Sequence, residues 1–272
     1  MEFFYRDAAI VVVRKPAGLL SEERPGGDSL PARIAAALAD AGERNTRLYP
    51  VHRLDRDTEG LQVFARTPHA AAALSAAFAA GEVEKTYLAV CEGAPAPADG
   101  QLADLLYFDR RADKVYVVRR PRGGVKEARL TYHTLATRPL SSADLPAFAT
   151  NGSAVREENG AAAAAVSAVG TPAAVTGTAT ARPLPAALSL LAVTLETGRT
   201  HQIRAQFAAR RHPLCGDGRY GAAVRRGGLA LLSAALAFRH PESGEMLSFR
   251  LPLPEDWFPF SLFAGTPTPP LL

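Results

Sequence analysis

The residues best suited to chemistry lie in one short segment, HRLDRDTEG, which runs from His52 to Gly60. It places a carboxylate, Asp55, between two arginines, Arg53 and Arg56, in a turn-forming context. An aspartate is already ionised at neutral pH, so it can act as a nucleophile or base without an activating histidine. One acid among basic groups predicts a site that binds an anion and acts on it with a carboxylate. Taken alone, an aspartate flanked by charges is more typical of a structural turn or helix cap.

A second segment, TGRTHQIRAQF (Thr197 to Phe207), supplies Arg199, His201 and Arg204. A helix is predicted over 200–210, and in it His201 and Arg204 share a face because they are three residues apart. Arg204 is the candidate guanidinium that keeps Asp55 ionised and oriented, since an opposite charge favours the carboxylate form. The alternatives are a phosphate-binding or solvated basic helix start, and a hydrogen-bonded structural role for His201.

A tyrosine and a lysine share one face of a predicted strand over 83–90. Alternation in EKTYLAV places Lys85 and Tyr87 on the same side. Tyr87 is therefore a candidate to stack on a base, with Lys85 near a phosphate. The alternative is an aromatic side chain at the edge of the core.

Composition is that of an ordinary globular protein with a mild basic excess. The chain has 272 residues, a net charge of +4 and 47% hydrophobic residues. Two stretches, 110–129 and 199–226, hold eight and seven basic residues against two and one acidic ones. They suit either a surface that follows phosphates or two solvated faces. Two cysteines, Cys91 and Cys215, without CxxC spacing, and no signal peptide or long apolar run, favour the cytoplasm.

Several other classes of site lack their motifs. There is no G-x-x-x-x-G-K-[ST] loop, no G-x-G-x-x-G after a strand and no G-x-S-x-G elbow. His212 and Cys215 are close in sequence, but no second ligand pair has metal-site spacing. No metal or organic cofactor is therefore expected.

Strands separated by turns and a few helices predict an α+β fold with a mainly antiparallel sheet. Helices are predicted over 28–39 and from Thr67 to Gly81. The segment 140–185 is built mainly from Ala, Ser, Thr, Gly and Pro, and we interpret it as a flexible low-complexity insertion in a single catalytic domain spanning 1–272. Further strands are predicted over 9–13, 61–65, 115–119, 130–135 and 188–195, with a hairpin of 229–238 and 246–251.

The motifs together resemble the RluA-type pseudouridine synthases. The matching segments are RKPAGLLS (14–21), VHRLDRDTEGLQVFART (51–67), VEKTYLAVCEG (83–93), TGRTHQIRAQF (197–207) and GDGRYG (216–221). The resemblance implies a pseudouridine synthase fold, with a mainly antiparallel mixed sheet flanked by helices and loops. It also implies isomerisation of a specific uridine in a structured rRNA or tRNA stem-loop. We expect the protein to act as a monomer. In three respects the chain departs from the family. Glu59 stands where a small residue is usual, adding an acid near the site. The insertion over 140–185 is not a family feature, and no S4-like RNA-binding domain is expected.

The resemblance also assigns roles to residues. Asp55 corresponds to the essential aspartate, Tyr87 to the tyrosine that packs on the target base, and Arg204 to the arginine paired with the aspartate. Arg53 corresponds to the arginine beside the flipped nucleotide. The further candidates for substrate binding are Arg56, Lys85, Arg199 and His201. Two alternatives remain at this point: a non-catalytic RNA-binding protein, and a metal-dependent RNA hydrolase that uses Asp57 and Glu59 as ligands.

Overall fold

A single mixed sheet organises the residues that the computed structural model describes, namely 1–23, 27–144 and 183–268. Its strands are β1 (Phe3–Arg6), β2 (Ile10–Lys15), β3 (Tyr49–Pro50), β4 (Glu59–Ala65), β5 (Glu84–Glu92), β6 (Asp99–Asp109), β7 (Lys114–Val118), β8 (Val125–Pro139), β9 (Ala187–Leu195), β10 (Leu231–Arg239) and β11 (Met246–Arg250). They follow the order β1-β2-β4-β10-β5-β9-β8-β6-β7, with β3 beside β4 and β11 beside β10. Of the pairings between these strands only that of β4 with β10 is parallel. The predicted α+β fold with a mainly antiparallel sheet is confirmed.

Three α-helices accompany the sheet in the described residues: α1 (Leu30–Asp40), α2 (Pro68–Ala80) and α3 (Gln202–Ala209). The Thr67 side chain caps α2 by accepting from the Ala70 N–H at 3.1 Å, and the helix ends at Gly81 in the left-handed region. The predictions for α1 and α2 are confirmed to within two residues. The prediction for α3 began too early, because His201 has a left-handed φ of +50° and the helix starts after it.

The two faces of the sheet bury separate clusters, and the alternation of β5 shows the division. Leu88 and Val90 point into one cluster, which α2 covers. Tyr87, Ala89 and Cys91 point into the other, where α3 packs Ile203 and Phe207. The face of β5 that carries Tyr87 is therefore the face on which α3 lies. No helix in the described part of the chain is long and apolar enough to cross a membrane.

The predicted insertion falls mostly outside the described residues, but its two ends are adjacent. Strand β8 ends at Pro139 and β9 begins at Ala187, which are paired across the sheet. The Leu140 N–H donates to the Ala186 carbonyl at 3.0 Å. Pairing of β8 with β9 therefore holds the two ends of the insertion together.

Replacing residues 145–182 with a short Gly/Ser turn is expected to leave the melting temperature within about 3 °C of the wild type. Loop-closure entropy changes slowly with length, and the β8–β9 pairing already holds the ends together. Circular dichroism melting measures the effect. A drop of more than about 10 °C would show that the removed segment contributes contacts to the folded domain.

Candidate active site

A cavity of about 90 Å³ opens on the face of the sheet that carries Tyr87. It lies where the loop before β4, strand β5 and the start of α3 meet. Six of the eight side chains predicted for the site line it. These are Arg53, Asp55, Tyr87, Arg199, His201 and Arg204.

The loop that carries Asp55 is held by hydrogen bonds from both sides. The Ser21 hydroxyl accepts from the Leu54 N–H at 3.0 Å and is also 2.8 Å from the Leu54 carbonyl. From β4, the Gln62 amide donates to the His52 carbonyl at 3.1 Å. The loop closes on itself because the Thr58 N–H donates to the Asp55 carbonyl at 3.1 Å. The segments RKPAGLLS and HRLDRDTEG thus form one structural unit.

Lys15 fixes the same loop through the backbone. Its ammonium is completely buried and donates to the Pro16 carbonyl at 2.9 Å and the Arg56 carbonyl at 2.8 Å. Burial lowers the pKa of Lys15 to about 8, while the nearby carboxylates of Asp57 and Asp55 oppose that shift. The side chain therefore remains mostly charged at neutral pH. It holds the loop without blocking the cavity, which Lys15 does not line.

Gly60 ends the loop at a point where only glycine fits. Its φ is +121°, and a Cβ atom there would lie 2.3 Å from the Ser233 carbonyl oxygen and 2.6 Å from the Ser233 nitrogen. Both are backbone atoms of β10, the parallel neighbour of β4. The close approach of these two strands sets where the Asp55 loop leaves the sheet.

Gly60→Ala is expected to lower the free energy of unfolding by about 3 kcal/mol, because backbone strain and an overpacked contact act together. Gly42→Ala is the matched control. Gly42 has a left-handed φ of +81°, and a Cβ atom there would meet no heavy atom within 4 Å, so the substitution should cost only about 1 kcal/mol. Urea denaturation measures both. Equal losses would mean that the β4–β10 contact accommodates a side chain.

Arg204 stands between two carboxylates. Its Nε and Nη2 donate to the two oxygens of Asp217 at 2.7 and 2.9 Å, while Nη1 lies 3.6 Å from an oxygen of Asp55. Burial alone would lower the pKa of Arg204, but Asp217, with smaller contributions from Asp55 and Tyr220, raises it. The buried Arg204–Asp217 pair is bidentate, so the guanidinium is fixed in orientation. Arg204 thus presents one edge to Asp55.

A hydrogen-bond chain sets the tautomer of His201. The Val115 N–H donates to the Tyr220 hydroxyl oxygen at 2.8 Å, which leaves the Tyr220 proton to be donated to His201 Nδ1 at 3.1 Å. Burial lowers the pKa of His201, so the ring is neutral at pH 7. With Nδ1 as the acceptor, the ring proton is on Nε2, 3.9 Å from the nearer Asp55 oxygen. His201 therefore turns an N–H toward the carboxylate.

Tyr220→Phe is expected to convert His201 from one tautomer to a mixture, since Nδ1 loses its donor. It should also lower the free energy of unfolding by about 1–3 kcal/mol, because the buried Val115 N–H loses its acceptor. The ¹⁵N chemical shifts of the His201 ring report the tautomer. Tyr116→Phe is the control. Tyr116 follows Val115 in β7 and is 43% exposed, so this substitution should change neither the tautomer nor the stability. An unchanged His201 tautomer in Tyr220→Phe would contradict the assignment.

Tyr87 forms one wall of the cavity and is not an acid at neutral pH. Its side chain is 7% exposed, and its hydroxyl is hydrogen-bonded to Ser233. Burial and the negative charge of Asp55 raise the pKa of Tyr87 well above its ordinary value. The Ser233 hydroxyl in turn donates to the Leu61 carbonyl at 3.1 Å. These contacts hold the ring against the cavity without making its hydroxyl reactive.

The two remaining predicted residues lie outside this cavity. Lys85 lines an adjoining groove. Arg56 is exposed, and its Nε donates to the Gly18 carbonyl at 3.1 Å. Among the residues that do line the cavity, Arg53 is also paired with Glu22 at 3.2 Å, and the Arg199 Nε donates to the Glu127 carbonyl at 2.9 Å.

Glu59 does not add an acid to the cavity, which corrects the expectation from the sequence. Its carboxylate accepts from the Arg14 Nε at 2.8 Å, and it is absent from the cavity lining. The attraction of Arg14 on the neighbouring strand β2 holds it elsewhere. Among the described residues no three His, Cys, Asp or Glu side chains converge in a metal-binding arrangement. Because Glu59 is paired with Arg14, it is no longer a candidate metal ligand for the alternative function as a metal-dependent RNA hydrolase.

Two residues that shape the site were not among the predicted ones: Asp217 and Tyr220. Both lie in GDGRYG, where the Asp217 carboxylate also accepts from the Tyr220 N–H at 3.3 Å. The segment is one of the family-like motifs, but its glycines by themselves indicate only a turn. The sequence signal that could have singled out Asp217 is its position as an isolated acid within the arginine-rich stretch 199–226.

Comparison of the whole chain with known sequences gives a consistent result. The sequence model of the family described as RNA pseudouridylate synthase matches residues 9–209. An uncharacterized RNA pseudouridine synthase of Mycobacterium bovis is 32% identical, with 94% of this chain and 70% of the relative covered. The tRNA pseudouridine synthase C of Vibrio cholerae is 29% identical, covering 94% and 93%. The ribosomal large subunit pseudouridine synthase D of Zymomonas mobilis is 28% identical, covering 94% and 70%.

Solved structures share the fold. The human RNA pseudouridylate synthase domain containing 4 aligns with a TM-score of 0.63 at 20% identity, covering 93% of this chain and 88% of that one. The human RNA pseudouridylate synthase domain containing 1 gives the same TM-score at 18% identity, covering 92% and 82%. At these identities the likeness concerns the arrangement of strands and helices alone.

Proposed function

Because the chain belongs to the RNA pseudouridylate synthase family, whose members are isomerases that convert uridine to pseudouridine in RNA, we propose that Asp55 is the catalytic carboxylate. We further propose that the cavity around Asp55 receives a uridine flipped out of its helix or loop. The glycosidic bond is out of reach inside a base stack, so the nucleotide must leave it. The substrate is a structured rRNA or tRNA stem-loop, and the enzyme acts as a monomer.

The surroundings of the Asp55 carboxylate carry this proposal. Its side chain is 15% exposed and faces the guanidinium of Arg204 at 3.6 Å and His201 Nε2 at 3.9 Å. It makes no hydrogen bond to a described residue, whereas Asp217 takes both strong bonds of the same arginine. The carboxylate is thus held near a positive charge while its oxygens remain available to a substrate. A structural aspartate would be expected to be hydrogen-bonded instead.

The reaction needs only groups that this site supplies. The bond between C1′ and N1 of the uridine breaks, the freed uracil rotates, and a bond forms between C1′ and C5. The hydrogen on C5 leaves to solvent and N1 takes up a proton, so atoms and electrons balance without a co-reactant. Two first steps fit the position of Asp55: attack of a carboxylate oxygen on C1′, or removal of the 2′ proton. In either, Tyr87 packs against the uracil ring and Arg204 stabilises the carboxylate whenever it is free.

Two exposed or half-exposed cations are proposed to hold the RNA backbone at the entrance. Arg53 and Arg199 line the cavity with long side chains that reach solvent. Arg53 is held by an exposed ion pair with Glu22, and Arg199 by a bond to the Glu127 carbonyl, so both can turn toward a phosphate at little cost. Arg56 was also a candidate, but its bond to the Gly18 carbonyl directs it away from the cavity.

Release of tritium from RNA labelled at C5 of uridine tests the proposal. We expect the purified protein to release tritium from a transcript of ribosomal RNA or from unmodified tRNA, with an equal yield of pseudouridine by nucleoside mass spectrometry. The Zymomonas and Vibrio relatives carry an rRNA and a tRNA designation respectively, so both RNAs are needed. Failure of a folded preparation to release tritium from either RNA would overturn the assignment.

A further inference from the structure

A groove of about 420 Å³ adjoins the active-site cavity on the Tyr87 side. The two share five lining residues: Arg53, Tyr87, Leu195, Gly198 and Arg199. The end of α2, including Phe78, forms the far wall of the groove. Lys85 of β5 also lines the groove. A polynucleotide that places one base in the cavity therefore has a direct continuation into this groove.

Lys85 is a buried cation without an anionic partner. Its side chain is 8% exposed in the centre of the sheet, between β9 and β10. Within residues 1–23, 27–144 and 183–268, its ammonium has no ion pair and no hydrogen bond. It does lie 5.4 Å from the ring centre of Phe78. A cation–π contact of this kind recovers less free energy than a buried charge loses by leaving water.

The other charged groups around the groove do not compensate Lys85. The acid that lines it, Glu196, accepts from the Gln101 amide at 2.9 Å and lies 3.9 Å from Arg129. His52 stacks on Phe78 with ring centres 4.5 Å apart, and burial lowers its pKa to about 3, so it stays neutral. By contrast, Lys15, which is also buried, donates to two carbonyls. In the described part of the protein, the ammonium of Lys85 thus has its contact with the Phe78 ring but neither an anionic nor a hydrogen-bonding partner.

We propose that this groove binds a backbone phosphate of the nucleotide next to the isomerised uridine, with Lys85 as the residue that contacts it. The inference rests on the proposed function, which puts the uridine against Tyr87. Lys85 and Tyr87 are two residues apart on one strand, so their side chains stand about 7 Å apart, a separation that one backbone step of RNA can span. Burial lowers the pKa of Lys85, and a bound phosphate would supply the missing counter-charge. Arg199, shared by the groove and the cavity, completes the positive rim.

The binding of a fluorescently labelled oligo(U) RNA, measured by anisotropy over a range of salt concentrations, tests this inference. Lys85→Met keeps the length of the side chain and removes the charge. We expect it to weaken binding roughly fivefold at about 0.1 M salt and to reduce the slope of log affinity against log salt by about 0.7, the value for one phosphate contact with a single strand. Lys85→Arg should retain the slope of the wild type.

Two controls separate this role from a structural one and from general charge. Arg33 lies on α1 and forms an exposed ion pair with Asp28. Arg33→Met removes this cation and should leave the slope of log affinity against log salt unchanged. The melting temperature of Lys85→Met should equal or exceed that of the wild type, because no ion pair is broken. An unchanged salt slope in folded Lys85→Met, or an equal loss of slope in Arg33→Met, would overturn the phosphate site. Since binding needs no turnover, an inactive protein that still shows the Lys85 effect would refute the proposed function and leave this site intact.

Discussion

Asp55→Asn is expected to lower the rate of pseudouridine formation by at least about 10⁴-fold, the size of effect seen when a catalytic nucleophile is removed. The amide preserves the shape of the side chain but has neither the charge nor the nucleophilic oxygen of the carboxylate. RNA affinity should change less than about threefold, because Arg53 and Arg199 are unaffected. Single-turnover tritium release measures the rate, and anisotropy measures the affinity.

The control for that loss lies two residues away. Asp57→Asn removes one charge from the same loop at an exposed position outside the cavity. It should retain activity within a few-fold. If Asp55→Asn turned over at a rate similar to that of Asp57→Asn, the carboxylate of Asp55 would not be the reacting group. The non-catalytic RNA-binding alternative predicts that the wild type is as inactive as Asp55→Asn.

Asp217→Asn is expected to lower the free energy of unfolding by about 3 kcal/mol and also to slow the reaction. The substitution leaves the 4% exposed guanidinium of Arg204 without its bidentate carboxylate. Arg204 would then be free to turn fully toward Asp55 and engage the oxygens that the reaction needs. We therefore also expect turnover to fall by about 10-fold or more. Urea denaturation and tritium release measure the two effects.

A second ion pair, between Asp104 of β6 and Arg210 just after α3, provides the comparison. Asp104 accepts from Arg210 at 2.8 Å, but the arginine side chain is 37% exposed. Asp104→Asn should lose no more than about 1 kcal/mol and keep its activity, because Arg210 is solvated and the asparagine amide oxygen can still accept from Gln206 Nε2, which lies 2.7 Å from Asp104. Equal losses in Asp104→Asn and Asp217→Asn would show that burial of Arg204 does not govern the effect.

The parts of the fold that depend on residues close together in the sequence could be predicted from it. Thr67 before Pro68, and Gly81 at the far end, determine the limits of α2 without any tertiary contact. Runs of valine and leucine predicted β2, β4, β5 and β9. Asp55 and Arg204 are 149 residues apart, and the prediction that their segments meet in one site came from the resemblance to a family. Residue spacing alone left a structural turn and a solvated helix as alternatives.

The parts that depend on distant contacts could not be predicted. Strand β6 has Leu102 and Leu106 as its buried leucines, and their spacing of four residues is typical of a helix. Only its long pairing with β8 makes it a strand. Likewise Asp217 and Tyr220 sit in a glycine-rich turn, and their importance comes from Arg204 and His201, which the fold brings to them. The expectation that Glu59 adds an acid to the site was wrong for the same reason, because its partner Arg14 lies on another strand.

Pseudouridine mapping tests most directly whether this chain isomerises a uridine in cellular RNA through Asp55. The map is made for rRNA and tRNA from cells with the gene deleted, restored as wild type, and restored as Asp55→Asn at equal protein level. We predict at least one position that is pseudouridine in the parent, uridine in the deletion, and pseudouridine again only with the wild-type gene. An unchanged map after deletion, or full restoration by Asp55→Asn, would contradict it.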